Sequence, residues 1–133
     1  MALHNPYQAY QSNAVTTASP GELTLMLYNG CLRFMKAART AIEIKDIEEK
    51  NENLIKAQNI ISELRVTLNM DLEVSNNLMA MYEYIMRRLI EANVKNDTAI
   101  LDEAAELVTD LRDTWKQAVQ LNRRKQFSER DQA

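Results

Sequence analysis

An all-α fold, an antiparallel four-helix bundle preceded by an N-terminal strap or short helix, is predicted by three observations on this sequence. Apolar residues recur three and four positions apart over long stretches, the period of helices with a buried side. No segment alternates at period two, and no hairpin turn pair occurs. After Gly30 the chain contains neither glycine nor proline. Its breaks must therefore fall at asparagine and aspartate clusters, whose side chains bond nearby backbone and favour turns and caps. Three such places, Lys45 to Asn53, Asn69 to Asn77 and Asn93 to Asp97, divide the chain into four helical segments. Short links between long helices make neighbours antiparallel, and 133 residues are enough for one domain with a real core.

Residues 1–18 contain no Asp, Glu, Lys or Arg and carry two aromatics, Tyr7 and Tyr10. Pro6 disfavours helix at Asn5, and Asn13, Thr16 and Thr17 compete with helix through local side-chain bonds. The segment reads as a leader with at most one short turn around Tyr7 to Tyr10. Two readings are open: a strap packed on the body, or a docking element that a partner displaces.

The first helix starts at a capping box, with Ser19 as N-cap, Pro20 in the first turn and Glu22 reaching back. It is apolar on two opposite sides. Leu23, Met26, Leu27, Gly30, Phe34, Ala37 and Ala41 make one face, expected to build the core. Leu25, Tyr28, Leu32 and Met35 make another, about half a turn away. That second stripe is either covered by neighbouring helices or forms a groove for an amphipathic partner helix. The second helix carries Ile47, Leu54, Ala57, Ile61, Leu64 and Leu68, a seam interrupted at Lys50, and Ile55 and Val66 fall off its main stripe. The third, from near Ser75, buries Leu78, Met81, Tyr82, Ile85, Leu89 and Ala92, with Tyr84 pointing away between Arg87, Arg88 and Glu91. The fourth, capped by Asp97, runs through Leu101, Ala104, Val108, Leu111, Trp115 and Ala118. Residues 19–121 thus form the bundle, and 122–133 are a polar C-terminal tail expected to fray.

Composition and motifs exclude most chemistry. The net charge of −3 is mild, and nothing points to nucleic acid or anionic lipid. The cluster Arg123-Arg124-Lys125 reads as solvated tail. One His and one Cys cannot supply a zinc site or a di-iron carboxylate site. Cys31 reads as a small buried hydrophobe, since the only His, His4, is far off in the leader. No phosphate loop, dinucleotide fingerprint or nucleophile elbow is present. No enzyme, cofactor or metal is therefore expected. A basic region followed by an apolar core is absent from the N-terminus, and the longest apolar run is far short of the ~20 residues of a membrane span. The chain reads as cytoplasmic, without direct membrane insertion. What remains is an apolar surface, with seven methionines whose adaptable shape suits either a core or a partner groove.

The residues also resemble a known family. Asn5-Pro6-Tyr7-Gln8-Ala9-Tyr10, Ala18-Ser19-Pro20-Gly21-Glu22-Leu23 and Met26-Leu27-Tyr28-Asn29-Gly30 are similar to the opening of the flagellin-specific export chaperones, the FliS family. Leu64 with Thr67 and Leu68, Met81-Tyr82-Glu83-Tyr84, Leu89 to Asn93, and Trp115 follow in the same order. The family often has a Gly pair between its second and third long helices, where this chain reads Asn69-Met70-Asp71-Leu72-Glu73-Val74-Ser75. The resemblance implies a four-helix bundle that binds the disordered C-terminal segment of flagellin in the cytoplasm. It also implies that the bundle prevents premature polymerisation and delivers the client to the export gate of the flagellar type III machine. It further implies that Tyr7 and Tyr10 in the leader serve presentation at that gate. The partner-contacting residues are then expected among Tyr7, Tyr10, Leu25, Tyr28, Leu32, Met35, Ile55, Val66 and Tyr84. A non-catalytic helical dimerisation or signalling module, joined through the Leu25–Met35 stripe, is the alternative.

Overall fold

The computed structural model describes residues 20–132, so the leader with Tyr7 and Tyr10, and the Ser19 arm of the capping box, lie outside the described residues. Within them are four helices: α1 (Pro20–Glu43), α2 (Ile47–Val66), α3 (Val74–Lys95) and α4 (Thr98–Gln132). Each packs against its neighbours in the cyclic order α1, α2, α3, α4, which leaves α1 diagonal to α3 and α2 diagonal to α4. Cross-helix contacts fix the antiparallel register. Arg39 of α1 pairs with Asp102 near the start of α4, and Trp115 Nε1 donates to the Gly21 carbonyl at 2.9 Å. Lys50 of α2 reaches Asn93 near the end of α3, while Arg65 pairs with Glu83 at 3.7 Å.

The links are built as the polar clusters suggest, though shorter. Asp46 caps α2 by accepting the Glu49 amide at 3.1 Å, and Asp97 does the same for the amides of Ala99 and Ile100 at 2.8 and 3.4 Å. With no glycine available, the chain reverses through left-handed Lys45 and Asn96, φ 62 and 52°. In both, the amide after the left-handed residue bonds back across the last turn, Asp46 to Ala41 and Asp97 to Ala92, the helix-ending pattern that glycine usually serves. The α2–α3 link is clipped by Ser75 Oγ donating to the Asn69 carbonyl at 2.6 Å.

The core holds Tyr28, Cys31, Met35 and Ala38 from α1, Leu54, Ala57, Ile60, Ile61 and Leu64 from α2, Tyr82, Ile85, Leu89 and Ala92 from α3, and Leu101, Ala104 and Val108 from α4. Several expectations are corrected here. On α1 the centre of the buried arc lies between the two expected faces. Tyr28 and Met35 are 0 and 1 % exposed, whereas Leu23, Met26, Phe34 and Ala37 are only half-buried. The reason is that α1 has a neighbour on each side: Phe34 and Gly30 turn toward Lys56 and Ile60 of α2, and Gly21 and Asn29 toward Trp115 and Arg112 of α4. The strip between them faces the diagonal helix. On α2, Ile47 is exposed because it sits in the first turn. Lys50, which interrupts the seam, is nonetheless buried, its ammonium donating to the Asn93 carbonyl at 2.9 Å and to Asn96 Oδ1. On α4, Ala118 is exposed, and the tail expected to fray is helix through Gln132.

Candidate functional site

The stripe Leu25, Tyr28, Leu32, Met35 is not an outer face. Tyr28 and Met35 are enclosed, and Leu25 and Leu32 are half-buried on the α4 side of α1. Tyr28 meets Tyr82 of the diagonal helix hydroxyl to hydroxyl at 2.5 Å, and burial together with this bond raises the Tyr28 pKa far above its usual value. The Trp115 ring stands edge-on to Tyr28 at 6.5 Å. Cys31 lies beside them, its thiol pushed up to about 12 by burial. A dimer seam through this stripe would need Tyr28 and Met35 at the surface, where they are not.

Exposed apolar surface lies elsewhere. At the end of the bundle where α1 begins and α2 ends, a cavity of about 320 Å³ is walled by Gly21, Leu64, Leu68, Leu72, Leu78, Tyr82 and Trp115, with no charged side chain among the described residues of its lining. All four helices and the α2–α3 link contribute to it. Glycine at position 21 lets α4 approach, since a Cβ there would stand 3.2 Å from Val119. The link and the first residue of α3 present Met70, Leu72 and Val74, each roughly half-exposed. Around the corner, Ile55 and Val66 project from α2 at 51 and 82 % exposure, and Val66 borders a depression shared with Met79 of α3. Ile90 shares the side of Met79 by helical register and is also exposed, as is Val94.

The expected contact residues are therefore not brought together. Ile55 and Val66 belong to this α2–α3 side. Tyr84 lies on the opposite side of α3, where its hydroxyl donates to Glu103 of α4 and the guanidiniums of Arg87 and Arg88 sit about 6 Å from its ring. Leu25 and Leu32 belong to the α1–α4 side. Residues missed by the sequence reading are Met70 and Leu72 of the link and Val74, Ile90 and Val94 of α3. The signal was present: apolar side chains at every second position inside a stretch read as a break.

The arrangement is an exposed apolar surface beside an apolar cavity. Among the described residues, no group of three or more His, Cys, Asp or Glu is placed to hold a metal ion, and no helix is long and apolar enough to cross a membrane. The profile of the family described as flagellar protein FliS matches residues 3–122. The flagellar secretion chaperone FliS of Bacillus subtilis (strain 168) is 62% identical over 124 residues, covering 93% of either chain. That of Salmonella typhimurium is 36% identical over 113 residues, covering 83% of this chain and 84% of that one. A crystal structure of a bacterial flagellar chaperone, 21% identical, superposes with a TM-score of 0.72 over 87% of this chain and 98% of that one, a likeness of fold. With its four-helix bundle and a match spanning nearly all of its length, the chain belongs to the FliS family of flagellar secretion chaperones.

Proposed function

We propose that this chaperone acts in the cytoplasm on flagellin. It binds the client's disordered C-terminal segment, keeps it from polymerising early and hands it to the export gate of the flagellar secretion apparatus. The observation that carries this reading is the uncharged cavity at the bundle end, continuous with the exposed Met70 and Leu72 of the link and Val74 at the start of α3. A small bundle has no internal use for such a surface, and a single seated apolar helix would bury it.

The physics of the task matches. Helices that build a filament core expose an apolar face when monomeric, which is an aggregation hazard. A chaperone needs only a complementary apolar surface. Ordering a disordered client costs a few kcal/mol, so the interface should reach about 1,000–3,000 Å², more than the cavity alone offers. The α2–α3 side, with Ile55, Val66, Met79 and Ile90, supplies the additional area. In this reading Tyr7 and Tyr10 of the leader serve presentation at the export gate.

Trp115 is the only tryptophan and lines the cavity, so its fluorescence reports occupancy. Intact flagellin should shift and quench that emission, and flagellin lacking its last ~40 residues, several helical turns, should not. Leu72→Asp should weaken binding at least about tenfold, or 1.4 kcal/mol, with an unchanged melting temperature, because Leu72 is half-exposed. Binding that survives the truncation would overturn the reading.

A further inference from the structure

The side of the bundle opposite the α2–α3 surface has a different chemistry. Where α1 meets α4, a shallow depression of about 340 Å³ is lined by Asn29, Leu32, Arg33, Lys36 and Arg112. Arg33 and Lys36 are exposed, and Arg112 is half-buried, reaching Asn29 Oδ1 at 3.5 Å and the neighbouring Asp113 at 3.0 Å. Lys116, also exposed, lies one turn further along α4 on the side of Arg112. The nearby carboxylates are engaged: Asp102 and Glu43 with Arg39, Glu22 with Arg123. Asp113, paired with Arg112, is an acidic group at the edge. A chain of net charge −3 thus collects a basic strip around a half-buried leucine.

We infer that the α1–α4 side is a second docking surface, for an acidic amphipathic protein segment that seats an apolar side chain on Leu32 and sets carboxylates against Lys36, Arg112 and Lys116. Charge complementarity selects this occupant. A polyphosphate would pair with the cations but has no use for Leu32. An acidic peptide satisfies both the cations and the apolar floor, and the cations would set its encounter rate and register more than its affinity. Because α1–α4 and α2–α3 are opposite sides of the square, a client on one leaves the other open, so the two can be occupied together.

The test uses the full chain and two synthetic helical peptides with the same leucine stripe, one glutamate-rich and one with lysines in their place. Isotope-labelled protein titrated with the acidic peptide should shift the amides of Leu32, Lys36 and Arg112 and leave Val66 and Ile90 unmoved. The lysine peptide should not bind. Lys36→Glu with Lys116→Glu, at two exposed positions, should weaken the acidic peptide at least about tenfold, and raising salt from about 50 to 300 mM should weaken it in the wild type. Shifts confined to the α2–α3 side, equal binding of both peptides, or an unaltered affinity in the charge-reversed variant would overturn the inference. So would tighter binding to phosphatidylglycerol vesicles or to a single-stranded oligonucleotide. Flagellin binding by the charge-reversed variant should be unchanged, which separates this surface from the client surface.

Discussion

Tyr28 and Tyr82 form the contact by which the two diagonal helices touch through polar atoms, and both are almost wholly buried, at 0 and 2 % exposure. A phenol has one proton to give. Whichever hydroxyl donates, the partner depends on it, because water cannot replace the bond in a packed core. Removing one hydroxyl leaves the other buried and short of a partner, at a cost of about 1–3 kcal/mol. Removing both leaves two apolar rings of nearly the same shape, an outcome that can be close to neutral. Tyr28→Phe and Tyr82→Phe should therefore each lower the urea midpoint, and the double variant should be less destabilised than the two changes added, with a coupling of about 1 kcal/mol. Additive losses would mean that the hydroxyls act independently. Lys50 makes the same point with a charge. It is buried because the carbonyl end of α3, where a cation is favoured, lies within reach of its ammonium at Asn93 and Asn96.

The helices are separated by links that do without glycine, and the two left-handed residues carry that constraint unequally. Asparagine tolerates the left-handed region, so Asn96 sits there at little cost. Lysine does not, and Lys45 at φ 62° is held by the bonds that Asp46 and Lys45 amides return to Ala41 and Ile42 at 2.8 and 3.1 Å. Its side chain is exposed, so nothing in packing is lost when it is removed. Lys45→Gly should stabilise the bundle by roughly 0.5–1 kcal/mol, since relief of the left-handed strain outweighs the added freedom of the unfolded chain. The check is a rise in the thermal midpoint with unchanged helical signal, and a fall would show that Lys45 is not strained. On α2, by contrast, Ile55 and Val66 are exposed apolar residues in good helical positions, and replacing them bears on partner binding rather than on the fold.

At the scale of the whole molecule, sequence periodicity carried the four helices, the polar breaks and most of the core of α2, α3 and α4, because each of those helices has one buried arc that a simple count finds. It resolved α1 less well, where neighbours on both flanks blur the boundary between buried arc and edge: the stripe with Tyr28 and Met35 was left open between covered and partner-facing, and Met26 and Phe34 were placed on the core face. The candidate surface was less legible, since it depends on where the link between α2 and α3 swings, and Leu72 gains its meaning only beside Trp115 and Leu78. The end of α4 was hidden for another reason: a polar helix without a neighbour has no stripe to find. From Gln120 to Ser128 every side chain is exposed, including Leu121 and Phe127, and an ion pair of Arg123 with Glu22 ties this stretch to the bundle. Exposed pairs of this kind contribute about 0–1 kcal/mol, and exposed side chains add little more. Deleting residues 122–133 should therefore lower the melting temperature by less than about 5 °C, given that 1 kcal/mol moves a domain of this size by a few degrees. The ellipticity should fall by the share of helix removed, with Trp115 emission unchanged because the indole bond to Gly21 lies inside the retained part. A loss above about 10 °C, more than an exposed pair accounts for, would instead make the end of α4 part of the bundle's cooperative core.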